Sequence, residues 1–139
     1  MTILLTGGGG RTSNAIAQKL HEAKTSFLIL SRTGSAASPF RACKFDWNDE
    51  ATYALPFSRA TDISAVYIVV PMTMTDEKAE PVIAFIQYAK TKGVKRFVAL
   101  SASNAPPGQR VMGVVHDRLA SLDVNYTVLR PTWYMGRSY

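Results

Sequence analysis

Four consecutive glycines, Gly7, Gly8, Gly9 and Gly10, separate a short apolar run, Ile3-Leu4-Leu5, from residues with helical spacing, Ile16, Ala17, Leu20 and Ala23. Where a strand passes directly into a helix, glycine lets a ligand's pyrophosphate meet backbone N–H groups with no side chain in between. Gly7 and Gly10 keep a G-x-x-G spacing, and Ser13 stands where a third glycine would allow close packing of helix on strand. Gly7 to Gly10, with Arg11 and Thr12 just inside the helix, are therefore candidate contacts of a nicotinamide dinucleotide; the competing reading is a turn that holds no ligand. At the end of the next apolar run, Phe27 to Ser31, a carboxylate would bind a ribose 2′-hydroxyl and a basic residue a 2′-phosphate. That place reads Ser31-Arg32-Thr33. Arg32 offers a planar fork matched to phosphate, with the Ser31 and Thr33 hydroxyls beside it, so NADP(H) is the expected cofactor. Asp46 is placed either to bracket the adenine edge or to cap the helix that follows. Val70, Pro71, Ser101 and Ala102, at the ends of later strands, complete the candidate cofactor contacts.

The groups that could act on a substrate are few. A tyrosine made acidic by a lysine one helical turn later is the usual proton donor beside such a cofactor. In the helix after the fifth strand the corresponding places hold Met112 and His116, so that pair is missing. His116 is the one group near that site that titrates close to neutral pH, and Ser101 sits at the carboxyl end of its strand, extended by Ser103 and Asn104; His116 and Ser101 are the candidate catalytic residues. His21 falls on a surface phase of its helix. Without a proton donor, the fitting chemistry is hydride delivery to an electrophile that needs none, such as a preformed iminium.

Positioning these residues requires strands alternating with helices. The sequence predicts strands at 2–6, 27–31, 41–45, 63–70, 95–100 and 126–130, and helices from about 11 to 23, 48 to 60, 76 to 92 and 110 to 122. Right-handed crossovers then give a single α/β domain, a Rossmann-type doubly wound parallel sheet of six strands in the order 3-2-1-4-5-6. The 139 residues suit one domain, and 47% hydrophobic with 19% charged residues suits a folded chain. No apolar run reaches membrane-spanning length, and no leader is recognisable at the first residues. One cysteine, Cys43, excludes an internal disulfide and a cysteine metal cluster, so no metal is expected and a cytoplasmic location is. The net charge of +6 is dispersed, with no cluster or groove-reading motif that would indicate nucleic acid.

Several segments resemble the fungal agroclavine and festuclavine dehydrogenases of ergot alkaloid biosynthesis, a group of NmrA-like atypical short-chain dehydrogenases. They are Met1 to Gly8, Phe45-Asp46-Trp47, Ile63 to Tyr67, Gly93 to Val98, Leu100 to Asn104 and Leu129 to Met135. The resemblance implies NADPH-dependent reduction of an iminium derived from chanoclavine-I aldehyde, a small indole alkaloid substrate, to agroclavine or festuclavine. Two departures stand out: the family carries a larger residue at Gly9, and beyond Met135 it continues with Glu-Asn into a substrate-binding region, where this chain reads Gly136-Arg137-Ser138-Tyr139. The expectation is a nucleotide-binding half without the substrate-binding region, its catalysis impaired. Two rival readings are a non-catalytic NAD(P)-sensing regulator of the NmrA type and a translated remnant with exposed apolar surface around the sixth strand.

Overall fold

The computed structural model describes residues 1–70, 79–101, 108 and 110–131. Six strands, β1 Thr2–Leu5, β2 Ser26–Ser31, β3 Ala42–Lys44, β4 Ile63–Val69, β5 Arg96–Leu100 and β6 Asn125–Leu129, form one sheet in the order β3-β2-β1-β4-β5-β6. Every neighbouring pair is parallel. Helices α1 Arg11–Glu22, α2 Leu55–Arg59, α3 Glu80–Thr91 and α4 Arg110–Ser121 connect them. The expected doubly wound order is the observed one.

Strand side chains alternate between two faces. Leu4, Leu28, Leu30, Val66, Ile68, Phe97 and Ala99 share one face with Val82, Phe85, Ile86 and Ala89 of α3 and Val115 and Leu119 of α4. Leu5, Ile29 and Tyr67 occupy the other face with Ala17 of α1. Burial on both faces explains why β2 and β4 are almost continuously apolar. At the outer margin, β6 is mostly exposed, and Leu129 keeps 45% of its surface in water.

The segment after β3 differs from the single helix expected over 48–60. Asp49 caps a one-turn 3-10 helix, Glu50–Thr52, by accepting the Ala51 N–H at 3.1 Å, and α2 begins only at Leu55. Pro56 explains the restart, since it has no N–H to give and its ring would clash with the carbonyl four residues back. The break points Tyr53 inward. Rings of Phe45, Trp47, Tyr53 and Phe85 meet at 4.7–5.6 Å in mostly edge-to-face pairs, tying the end of β3 to α3. For the long helix expected from 76, the described part is α3, with Pro81 in its first turn; residues 76–78 lie outside the described residues.

Candidate functional site: the glycine turn at the carboxyl edge of the sheet

At the end of β1 the chain turns away from the sheet, and Thr6 holds it there. Its N–H and its Oγ1 both donate to the Tyr67 carbonyl, at 3.0 and 2.9 Å, while the same Oγ1 accepts the Val69 N–H at 2.7 Å. The threonine hydroxyl thus replaces the ladder bond that β1 gives up where it leaves β4. Gly7 follows with φ +71°, a conformation glycine adopts freely, and a Cβ there would come within 3.0 Å of the Val69 Cβ. Gly8 donates to the Leu30 carbonyl at 3.0 Å, and a Cβ on it would sit 2.7 Å from that oxygen and 2.9 Å from the Ser31 Cβ. Gly10 donates to the Gly7 carbonyl at 2.9 Å, an oxygen that a Gly10 Cβ would also meet at 2.9 Å. Gly9, at φ +87°, faces open space. Closeness to β2 is therefore set by Gly8, a position the G-x-x-G spacing treats as variable.

Ser13 is buried and donates from Oγ to the Thr6 carbonyl at 2.6 Å, fastening α1 to the end of β1 where a third glycine would have packed. Gly10 is the N-cap of α1, no side chain caps the helix, and its first turn carries no acidic residue. Uncapped N–H groups at a helix start, beside a turn without side chains, form a cradle for a phosphate. The residues fit the pyrophosphate of a dinucleotide. Arg11 is exposed and Thr12 half-buried at this opening.

Ser31 ends β2, with its hydroxyl turned into the loop: Oγ donates to the Ser35 carbonyl at 2.9 Å and accepts the Ser35 N–H at 3.1 Å. Thr33 Oγ1 shares a 2.8 Å hydrogen bond with Ser35 Oγ. Both hydroxyls thus close the loop, leaving Arg32 exposed between them. Asp46 does not cap the following helix; its Oδ1 accepts the Asn48 N–H at 2.9 Å in a local turn, and Asp49 makes the cap. Val70 is half-buried just past β4, whereas Pro71, Ala102, Ser103 and Asn104 lie outside the described residues.

Ser101 lies immediately beyond β5. It is buried, its N–H donates to the Leu129 carbonyl at 2.7 Å, and its Oγ has no partner among the described residues. His116, in the middle of α4, packs its ring 6.1 Å from that of Tyr126, and its buried Nδ1 has no partner among the described residues. Tyr126 is in register with Phe97, and Leu129 with Leu100. Three residues of strand, roughly 10 Å, therefore separate the level of His116 from the carboxyl edge. The two candidate catalytic residues are not brought together. His21 is exposed, its ring 5.5 Å from that of Phe40. One residue central to the turn, Thr6, escaped the sequence reading, and its strand-end position was the available signal; Gly8 was among the candidate contacts, but its close approach to β2 is set by the fold.

A parallel sheet in this order, with a glycine cradle between β1 and α1, defines a Rossmann-type nucleotide-binding fold of the kind used by short-chain dehydrogenases and sugar epimerases. Solved structures agree: triphenylmethane reductase from Citrobacter sp., complexed with NADP(H), superposes with TM-score 0.77 at 17% identity, over 97% of this chain and 50% of that one. UDP-glucose 4-epimerase from Thermus thermophilus, complexed with NAD, gives TM-score 0.75 at 15% identity over 94% of this chain and 54% of that one. In sequence the chain is similar to the festuclavine and agroclavine dehydrogenases. It is 43% identical over 141 residues to festuclavine synthase II of Penicillium roqueforti, covering 97% of this chain and 48% of that protein. With the agroclavine dehydrogenase of Claviceps fusiformis it shares 45% identity over 139 residues, 97% of this chain and 47% of that enzyme. The chain spans about half the length of these relatives. No protein-family model matches it.

Proposed function

We propose that this chain binds NADP(H) at the glycine turn and is the nucleotide-binding part of an oxidoreductase acting on an indole alkaloid iminium derived from chanoclavine-I aldehyde. The observation that carries the reading is the cradle: Gly8 and Gly10 approach backbone oxygens so closely that a Cβ would lie 2.7 and 2.9 Å from them, beside a helix start that no side chain caps. In this reading the N–H groups of the first turn of α1 receive the pyrophosphate, and Arg32 receives the 2′-phosphate, since β2 ends in Ser31 with no carboxylate beside it. When bound, the cofactor supplies a hydride, and an iminium accepts it without a proton donor. The role of Ser101 is to offer its hydroxyl, which has no partner among the described residues, to the reacting end, at the carboxyl edge where Rossmann sheets bind ligands. His116 enters this reading as a packing residue of α4 against β6, away from that edge. The substrate-binding region of the relatives is assigned to the half of their length that this chain does not match.

Fluorescence titration of the purified chain with NADPH and NADH tests the first part; saturable binding that favours NADPH is expected. The second part is tested by adding the iminium with NADPH and following absorbance at the reduced nicotinamide band. No turnover is expected from the chain alone, and steady NADPH consumption would show that the substrate site lies within these residues after all.

A further inference from the structure

Lys44, the last residue of β3, lies beside Ser31 in the parallel register, and the next residue, Phe45, donates its N–H to the Ser31 carbonyl at 2.8 Å. Cys43 is buried on the face covered by α3 and α4, so Lys44 projects to the opposite face, the one covered by α1, and is exposed there. The loop after β2 folds against it, with the Lys44 Cβ 3.4 Å from where a Cβ on Gly34 would be. On the other side of Ser31 stands the glycine turn, since the Ser31 Cβ is 2.9 Å from where a Gly8 Cβ would be. Gly8, Ser31 and Lys44 thus form a continuous row across the carboxyl ends of β1, β2 and β3. Ser31 has given its hydroxyl proton to the Ser35 carbonyl and Thr33 Oγ1 shares a hydrogen bond with Ser35 Oγ, so charged side chains are the main hold for a phosphate arriving at the end of β2. Neither Arg32 nor Lys44 takes part in an ion pair among the described residues.

We propose that Lys44 is a second cation for the 2′-phosphate, acting with Arg32, and is therefore a residue that sets the preference for NADP(H) over NAD(H). This rests on the NADP(H) reading of the site. Arg32 supplies a planar fork for two phosphate oxygens, while the Lys44 ammonium acts as a point charge from the neighbouring strand. Recognition shared between β2 and β3 also explains how the site manages with the Ser31 hydroxyl turned into the loop.

The test is titration of the full chain and of Lys44→Gln with NADPH and with NADH at several salt concentrations, with Lys95→Gln, at the amino end of β5, as the control for general loss of charge. Lys44→Gln is expected to weaken NADPH binding about tenfold, to change NADH binding less than twofold, and to flatten the salt dependence for NADPH; Lys95→Gln should do neither. If the parent chain prefers NADPH and Lys44→Gln keeps the same preference, or weakens both cofactors equally, the assignment of Lys44 is wrong while the NADP(H) reading stands. A parent chain that binds both cofactors alike, or neither, overturns that reading and this assignment with it.

Discussion

A Cβ on Gly8 would lie 2.7 Å from the Leu30 carbonyl and 2.8 Å from Ile29 Cγ2, neither of which can move without disturbing β2. Gly8→Ala is therefore expected to cost about 1–3 kcal/mol of stability through overpacking. It should also weaken NADPH binding more than tenfold, because the turn must shift away from β2; urea unfolding and fluorescence titration measure the two effects. Tyr53 makes a second single-residue case. Its hydroxyl lies 2.6 Å from the Trp47 carbonyl and 3.0 Å from the Pro81 carbonyl and donates to the pair. Burial first, then the negative charges of Glu50 and Asp46, push its pKa up from 10.0 to about 12. A raised folded value means that the stabilising neutral form is fully present below about pH 10 and is lost as the pH climbs from there through 12. Tyr53→Phe is expected to lower stability by about 1–2 kcal/mol near neutral pH, from the lost hydrogen bonds. It should also blunt the alkaline fall in stability between pH 10 and 12, seen as a flatter melting temperature against pH; an unchanged alkaline slope would remove Tyr53 as its cause.

At the scale of elements, α1 and α3 end in the same way with different residues. After α3, Gly93 at φ +94° donates to the Lys90 carbonyl and Val94 to the Ala89 carbonyl, both at 3.1 Å. After α1, Lys24 at φ +56° donates to the His21 carbonyl at 3.1 Å and Thr25 to the Leu20 carbonyl at 2.9 Å. Both are Schellman ends, which favour glycine at the left-handed position. Lys24→Gly should therefore raise stability by about 1 kcal/mol, and Gly93→Ala lower it by about the same amount, in chemical unfolding. The Gly93 stop was legible in the sequence because glycine announces it. The stop at Lys24 could be read only from where the apolar spacing ends at Ala23, because a lysine in the left-handed conformation is not one that local preference selects. Pro56 likewise divides the segment after β3, since the periodicity there runs through a residue that backbone chemistry does not allow in a helix interior.

For the whole molecule, α1 covers one part of its face of the sheet, and the residues of β6 on that face, Asn125, Thr127 and Leu129, are exposed. Among the described residues no helix is long and apolar enough to cross a membrane. A ligand that bridges the glycine turn and the ends of β2 and β3 would link segments far apart in the chain and bind only the folded form. NADPH at about 100 times its dissociation constant is thus expected to add roughly 2.7 kcal/mol of stability, read as a rise in melting temperature that NADH at the same concentration does not match. By itself the sequence determined the number and order of the strands, because apolar runs bounded by glycine and proline allow few alternatives and right-handed crossovers leave one arrangement. It also placed the glycine turn, because a strand running straight into a helix through glycine is a local feature. Only the tertiary structure decided which turn residue touches β2, that the Ser31 and Thr33 hydroxyls are already engaged, and that Lys44 stands next to Ser31. It alone set His116 against Tyr126 rather than beside Ser101. Those facts depend on the register of parallel strands and on how deeply each helix sits, and both are set by packing between residues remote in sequence.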